Sequence, residues 1–380
     1  MKKQRIALVA GETSGDLLAA HLLAELKNRL PEAEFFGIGG PKMIEQGMVS
    51  WWPLEKLAVM GYLEVLKRYR EISAIRRDLK ARLLADKPDL FIGVDAPDFN
   101  LGLETTLRHK GIKTIHFVSP SIWAWRGKRI KKIARAADRV LALFPMEPPL
   151  YQKAGIPVDY VGHLLADQIP LITDKEAMRA KLRMEATGPV YALLPGSRQA
   201  ELDHLGGLFV ETAKRLHMLQ PEASFLVPLA TRPTRLAFET EIYRHSADKL
   251  PWRLLFGHAR DAIGAADAVL VASGTATLEA ALVKRPMVIA YKLAPLTYRL
   301  MKHRAYLPYV GLPNILAGRL LVPEILQDAA TPEALAAALI AENTATRAAE
   351  LEAAFTRIHL TLRQGMAERA ARAVMEVLRK

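Results

Sequence analysis

The 380-residue sequence contains no cysteine. That absence removes disulfides, thiolate nucleophiles, iron–sulfur clusters and Cys-ligated zinc together, and it fits a reducing compartment. Histidine offers no substitute, because none of the ten stands three or four residues from another, as a helical metal-ligand pair requires. No apolar run approaches the roughly 18 residues of a membrane span. At the start, Lys2, Lys3 and Arg5 precede only five apolar residues, Ile6 to Ala10, too few for a secretory core. The expectation is a cytoplasmic chain that remains free to lie against a membrane. No GxxxxGK[ST] loop is present, and Gly37-Ile38-Gly39-Gly40 carries Lys42 where a dinucleotide fingerprint needs glycine or alanine. Acidic residues are outnumbered 40 to 53, leaving a net charge of +13. An excess of that size points to an anionic partner: nucleic acid, anionic lipid or a phosphorylated substrate.

What is present is an alternation of short apolar runs with helical patterns. Ile6–Ala10, Leu90–Val94, Thr114–Val118 and Val140–Phe144 read as buried parallel strands in the first half. Val190–Leu194, Ser224–Val227, Ala268–Ala272 and Met287–Tyr291 repeat the pattern after a pause over residues 163–188. Two doubly wound α/β domains account for this, and at roughly 150 residues per domain the length allows them. The expected division is 1–165, 166–345, and closing helices over 346–380.

Chemistry-bearing residues cluster at the ends of these runs. Pro195-Gly196-Ser197-Arg198 leaves a strand through a glycine turn into a helix, where backbone N–H groups, the helix dipole and a guanidinium suit a phosphate. Ser273-Gly274-Thr275 repeats the design, with Glu279 one turn further on to accept from ribose hydroxyls. Ordinary helix capping explains either segment alone; two in one domain favour a ligand. In the first half, Ser14 and Asp16 lie in a flexible strand-to-helix loop that could wall a cleft. Asp95-Ala96-Pro97-Asp98-Phe99-Asn100 places two carboxylates at the end of a strand, and either Asp95 or Asp98 could serve as a general base or as a helix cap. Ser119-Pro120-Ser121-Ile122-Trp123-Ala124-Trp125-Arg126 sets two tryptophans beside a basic cluster, for sugar stacking, acyl contact or core packing. Leu63, Leu66, Tyr69 and Ile72 recur at helical spacing among Lys67, Arg68 and Arg76. That pattern suits an element lying on an anionic bilayer, and equally a core-facing stripe with a solvated face.

Taken in order, these segments, with Leu312-Pro313-Asn314 and Gly318-Arg319, resemble the lipid-A-disaccharide synthase family from about residue 6 to about residue 327. The resemblance implies a GT-B fold, two Rossmann-like doubly wound parallel-sheet domains facing across a cleft. It implies an inverting glycosyltransferase that joins UDP-2,3-diacylglucosamine to 2,3-diacylglucosamine 1-phosphate (lipid X) and releases UDP. Asp98 would then be the base. Gly196, Ser197, Arg198, Ser273, Gly274 and Thr275 would hold the diphosphate, Glu279 the ribose and Asn314 the nucleotide side of the pocket. Ser14, Asp16, Asn100, Ser119, Trp123, Trp125 and Arg126 would line the acceptor side. No metal or cofactor is implied, the UDP-sugar being a substrate. The family's C-terminal parts can exchange between two subunits, which would put Asn314 in a partner's site. The resemblance also implies peripheral attachment to the cytoplasmic face of the inner membrane. A UDP-sugar epimerase or hydrolase of the same fold stands as the alternative. So does a basic nucleic-acid-binding protein, although no nucleic-acid motif accompanies the charge.

Overall fold

The structure is a computed structural model that describes residues 3–57, 62–124, 127–185, 187–292 and 306–379, with side chains omitted over 62–68. Two compact units divide the chain: residues 1–167 with 362–380, and residues 168–361.

The first unit is built on a seven-stranded parallel sheet: β1 (Arg5–Ala10), β2 (Glu34–Gly39), β3 (Val49–Pro53), β4 (Leu90–Val94), β5 (Lys113–Phe117), β6 (Arg139–Ala142) and β7 (Val158–Tyr160). Their order is β3-β2-β1-β4-β5-β6-β7. The direction of winding therefore reverses between β1 and β4, and ligands of open parallel sheets gather at the carboxyl ends beside such a switch point. Helices cover both faces, which is why the central strands carry unbroken apolar runs; Ile6 to Ala10 and Leu90 to Ile92 are all fully buried. Gly37 is obligatory here. Its φ is +138°, and a Cβ would lie 2.0 Å from the Leu8 carbonyl oxygen on the neighbouring strand.

The second unit carries a six-stranded parallel sheet: β8 (Val190–Leu194), β9 (Ser224–Leu229), β10 (Trp252–Phe256), β11 (Ala268–Ala272), β12 (Met287–Tyr291) and β13 (Glu324–Leu326). The order β10-β9-β8-β11-β12-β13 puts its switch point between β8 and β11.

The C-terminal segment differs from the sequence-based expectation of a separate closing element. The helix Ala345–Leu362 lies almost wholly within the second unit, burying Leu351 and Phe355, whereas the helix Met366–Arg379 belongs to the first. Its apolar stripe of Met366, Ala370, Ala371, Val374 and Val377 packs into the core formed by β1, β4 and the helix Thr13–Arg29. The Asp167 carboxylate fixes where that helix starts by accepting the Gly365 and Met366 N–H groups at 2.9 and 2.7 Å.

Candidate functional site

In the second unit a cavity of about 440 Å³ opens at the carboxyl ends of β8, β9, β11 and β12. Both strand-to-helix turns singled out from the sequence reach it, and so do Gly196, Ser197, Arg198, Ser273, Gly274, Thr275 and Glu279. The turn after β8 runs through Gly196, at φ +130°, into the helix Gln199–Leu219. The turn after β11 enters the helix Thr275–Leu282 through Gly274, an N-cap with no side chain of its own to cap that helix start. Its N-terminus faces the cavity with no acidic residue in the first turn.

Glu279 stands deeper in the wall, with the Arg260 Nε 3.5 Å from its Oε1. Burial pushes its carboxyl above the usual range, and the guanidinium pulls it back. Arg260 beside Glu279 and Tyr291 in the cavity wall are residues that sequence reading missed. So is Glu201, whose Oε2 accepts the Ser197 N–H at 2.8 Å and the Arg198 N–H at 3.3 Å. Glu201 did leave a signal, since a glutamate three residues after a helix N-cap is the signature of a capping box.

Asn314, expected on the nucleotide side, lies in the interior. It is fully buried: Nδ2 donates to the Val322 carbonyl at 2.9 Å and to Glu324 Oε1 at 2.7 Å, while Oδ1 accepts from Leu321 and Val322 N–H at 2.7 and 2.9 Å. With all four positions engaged inside the protein, it presents no polar atom to a nucleotide. Glu324 in turn accepts the Val310 and Gly311 N–H groups, each at 2.9 Å. The Ser273 hydroxyl donates to the Val310 carbonyl at 3.0 Å. Asn314 therefore braces the segment that lies against Ser273.

In the first unit the turn after β4 is strained. Asp95 and Ala96 both adopt left-handed backbone, with φ of 52° and 41°. Asn100, fully buried, holds the turn by donating Nδ2 to the Asp95 carbonyl at 2.9 Å and the Val9 carbonyl at 3.2 Å. Beneath it, His116 Nδ1 and Glu104 Oε1 meet at 2.7 Å, both fully buried. Gly93 makes room for this pair, because a Cβ there would lie 2.0 Å from Glu104 Oε1. Burial raises the Asp95 carboxyl above its usual range, opposed by nearby His116. Asp98, in the first turn of the helix Pro97–His109, is 77% exposed and meets the Arg129 guanidinium at 2.5 Å. That ion pair spans 31 residues of sequence and leaves no local signal.

Three residues expected on the acceptor side are instead interior struts. The Asp16 carboxylate, 1% exposed, accepts N–H groups from Gly40, Lys42 and Met43 at 2.9 to 3.1 Å, fixing the start of the helix Pro41–Glu45. Asn100 holds the strained turn, and buried Ser119 bonds the Tyr151 hydroxyl at 2.7 Å. Trp123 is half-buried and donates Nε1 to Glu147 at 3.1 Å. Ser14 is exposed in the first turn of the helix Thr13–Arg29, while Trp125 and Arg126 lie outside the described residues. The amphipathic stripe is split. In the helix Tyr62–Asp86, Ile75, Leu79 and Leu83 join the core, whereas Tyr69 and Arg76 are exposed and Ile72 is half-buried. The side chains of Leu63, Leu66, Lys67 and Arg68 lie outside the described residues. Among the described residues no helix is long and apolar enough to cross a membrane.

The family description lipid-A-disaccharide synthetase matches residues 6–377. The lipid-A-disaccharide synthase of Dechloromonas aromatica (strain RCB) is 66% identical over 376 residues, covering 98% of each chain. The chain belongs to the lipid-A-disaccharide synthetase family. A second lipid-A-disaccharide synthase, from Aromatoleum aromaticum (strain DSM 19018 / LMG 30748 / EbN1), is 58% identical over 377 residues, 99% of this chain and 96% of that one. As a member of the lipid-A-disaccharide synthetase family, the chain is a glycosyltransferase, and the epimerase and nucleic-acid-binding alternatives fall away. Among solved structures, the UDP-GlcNAc 2-epimerase from Neisseria meningitidis bound to UDP-GlcNAc matches 99% of the chain and 100% of its own length, with a TM-score of 0.65 and 13% identity. The glycotransferase of kitacinnamycin matches the same shares, with a TM-score of 0.62 and 16% identity. At such identities the likeness concerns the fold, which is the GT-B type expected of lipid-A-disaccharide synthetases.

Proposed function

We propose that the chain transfers 2,3-diacylglucosamine from its UDP donor to the 6-hydroxyl of 2,3-diacylglucosamine 1-phosphate (lipid X), with inversion at the anomeric carbon. The observation that carries this reading is the second unit's cavity, where two strand-to-helix turns and Arg198 converge in a chain of this family. The diphosphate lies against Ser197, Arg198 and Ser273–Thr275, and the ribose reaches Glu279. As the anomeric C–O bond breaks, the developing charge on UDP is met by helix dipoles and the Arg198 guanidinium, without a metal or cofactor. Asp98 takes the proton of the acceptor hydroxyl as that oxygen attacks. Its exposure makes it reachable, and Arg129 orients it.

A second reading of the base is favoured by one observation: Asp95 sits on strained backbone with its carboxyl raised above the usual range. The two are separated by assaying Asp98→Ala and Asp95→Asn with the UDP donor and lipid X, following the disaccharide by mass spectrometry. Asp98→Ala should lower kcat by about 10²- to 10⁴-fold while UDP affinity stays within about twofold, since a base acts in the transition state. Near-normal turnover in that variant, with collapse in Asp95→Asn, moves the role to Asp95. The acylated, anionic substrates also account for a chain of +13 charge with exposed Tyr69 and Arg76 on one helix, and so for peripheral binding to an anionic membrane face. A homodimer that exchanges C-terminal parts completes the reading.

A further inference from the structure

The N–H groups best placed to hold a diphosphate after β8 are already in use. Glu201 Oε2 accepts both the Ser197 and the Arg198 N–H, and its other oxygen stands 4.0 Å from Arg198 Nη1. The carboxylate is also pressed against the turn itself: a Cβ on Gly196 would lie 2.4 Å from Glu201 Oε2. One side chain thus holds two adjacent amides that a diphosphate oxygen would engage, with the Arg198 guanidinium 4.0 Å away. The second turn of the cavity presents the contrast. The helix Thr275–Leu282 starts at Gly274, which has no side chain to cap it, and has no acidic residue in its first turn, whereas the other half of the cradle is held by an internal anion.

We propose that Glu201 is a displaceable stand-in for the donor's diphosphate, competing with it for the Ser197 and Arg198 N–H groups. This rests on reading the cavity as the nucleotide site. The chemistry follows from charge. A diphosphate cannot share two amide donors with a carboxylate at hydrogen-bond distance, so its arrival moves Glu201 aside and its departure lets Glu201 return. The helix Gln199–Leu219 therefore always has an anion at its start, whether the side chain or the ligand. Tyr291, in the same wall, is close enough for Glu201 to add to the burial that raises its hydroxyl pKa, and it offers the displaced carboxylate a donor. Competition of this kind weakens nucleotide binding and speeds release of UDP after transfer, which favours turnover over retention of product.

The test is calorimetric titration of the full chain with UDP and with uridine, for the wild type, Glu201→Gln, Glu201→Ala and Arg198→Ala. Glu201→Gln and Glu201→Ala should bind UDP about three- to tenfold more tightly, a gain of about 0.7–1.4 kcal/mol by the affinity relation. Uridine, lacking phosphate, should bind them as it binds the wild type. UDP affinity that is unchanged or lower in both variants overturns the proposal and leaves Glu201 as a plain helix cap. UDP affinity indifferent to Arg198→Ala instead overturns the reading of the cavity, and this proposal with it. Should both Glu201 variants fail to fold, the wild type decides by NMR. Adding inorganic pyrophosphate should shift the Ser197 and Arg198 amide signals together with the Glu201 carboxyl carbon, and a carboxyl signal that stays in place refutes displacement.

Discussion

Replacing Asn314 by aspartate separates a brace from a ligand contact. The side chain now has two donors and two acceptors, all engaged and all buried. Aspartate keeps the acceptors for Leu321 and Val322 but sets a carboxylate 2.7 Å from Glu324 Oε1, where the amide donates today. Two ionised carboxylates at that distance repel by about 6 kcal/mol at an effective dielectric of 20. Taking up one shared proton at pH 8 costs about 5 kcal/mol, roughly 1.4 for each pH unit above a carboxyl's usual value near 4. Proton uptake is the cheaper route, and it restores a donor toward Glu324. The Val322 carbonyl still loses its partner, for about 1 kcal/mol more. Because the folded pKa is raised, the penalty is full at high pH and shrinks as pH falls: about 6 kcal/mol at pH 8 and about 3 at pH 5.5. For a unit of this size each kcal/mol moves the melting point by about 2–4 °C, so thermal melts at the two pH values should fall by roughly 12–24 °C and 6–12 °C. Asn314→Ala, which adds no charge, should show no such pH slope. A variant that melts like the wild type at both pH values yet binds UDP far more weakly would put Asn314 on the nucleotide and refute the brace.

Two buried groups of the first unit titrate in opposition: burial pushes Glu147 up to about 7 and His163 down to about 4. Glu147 withdraws about 3 kcal/mol of stability as pH rises from 4.5 to 7, and His163 about as much as pH falls from 6.5 to 4, so in the shared window they nearly cancel. Glu147→Gln should therefore melt lower at pH 5 than at pH 7.5, and His163→Gln the reverse; identical flat profiles would rule this out. Asp16→Ala leaves three N–H groups without an acceptor and should cost about 2–4 kcal/mol in thermal or denaturant unfolding, with KM for both substrates unchanged, and a raised KM at normal stability would return Asp16 to the acceptor site. Gly93→Ala drives a methyl against the Glu104–His116 pair and should cost at least about 2 kcal/mol; a wild-type melting curve would contradict the packing beneath the Asp95 turn.

The central strands were legible because burial on both faces leaves an unbroken apolar run, as in Ile6–Ala10 and Ala268–Ala272. The outer strands were not. β3 reads Val-Ser-Trp-Trp-Pro and is half-buried, β10 ends on an exposed Phe256, and β7 and β13 are three residues each, so none bears the signature of a covered strand. The C-terminal helices were visible as helices, but nothing local says that Met366–Arg379 returns to the first sheet. That return depends on a stripe of alanines and valines matching the groove beside the helix Thr13–Arg29, and on Asp167 nearly 200 residues earlier.

At the sites, residue type was legible and role was not. A carboxylate or an amide near a strand end has two uses, facing a ligand or satisfying backbone, and the local sequence is the same in both. Asp16 and Asn314 point inward because backbone N–H groups from Gly40, Met43, Leu321 and Val322 converge on them, and those groups come from turns whose path only the fold determines. Arg198, Ser197 and Glu279 remain in the cavity because their turns sit at the carboxyl ends of β8 and β11, beside the switch point, where the helices diverge and leave space. The position of a polar residue relative to the switch point thus discriminates better than its chemistry alone. By that measure Glu201, one helical turn from Ser197 and inside the same opening, belongs with the residues of the cavity as well as with the caps.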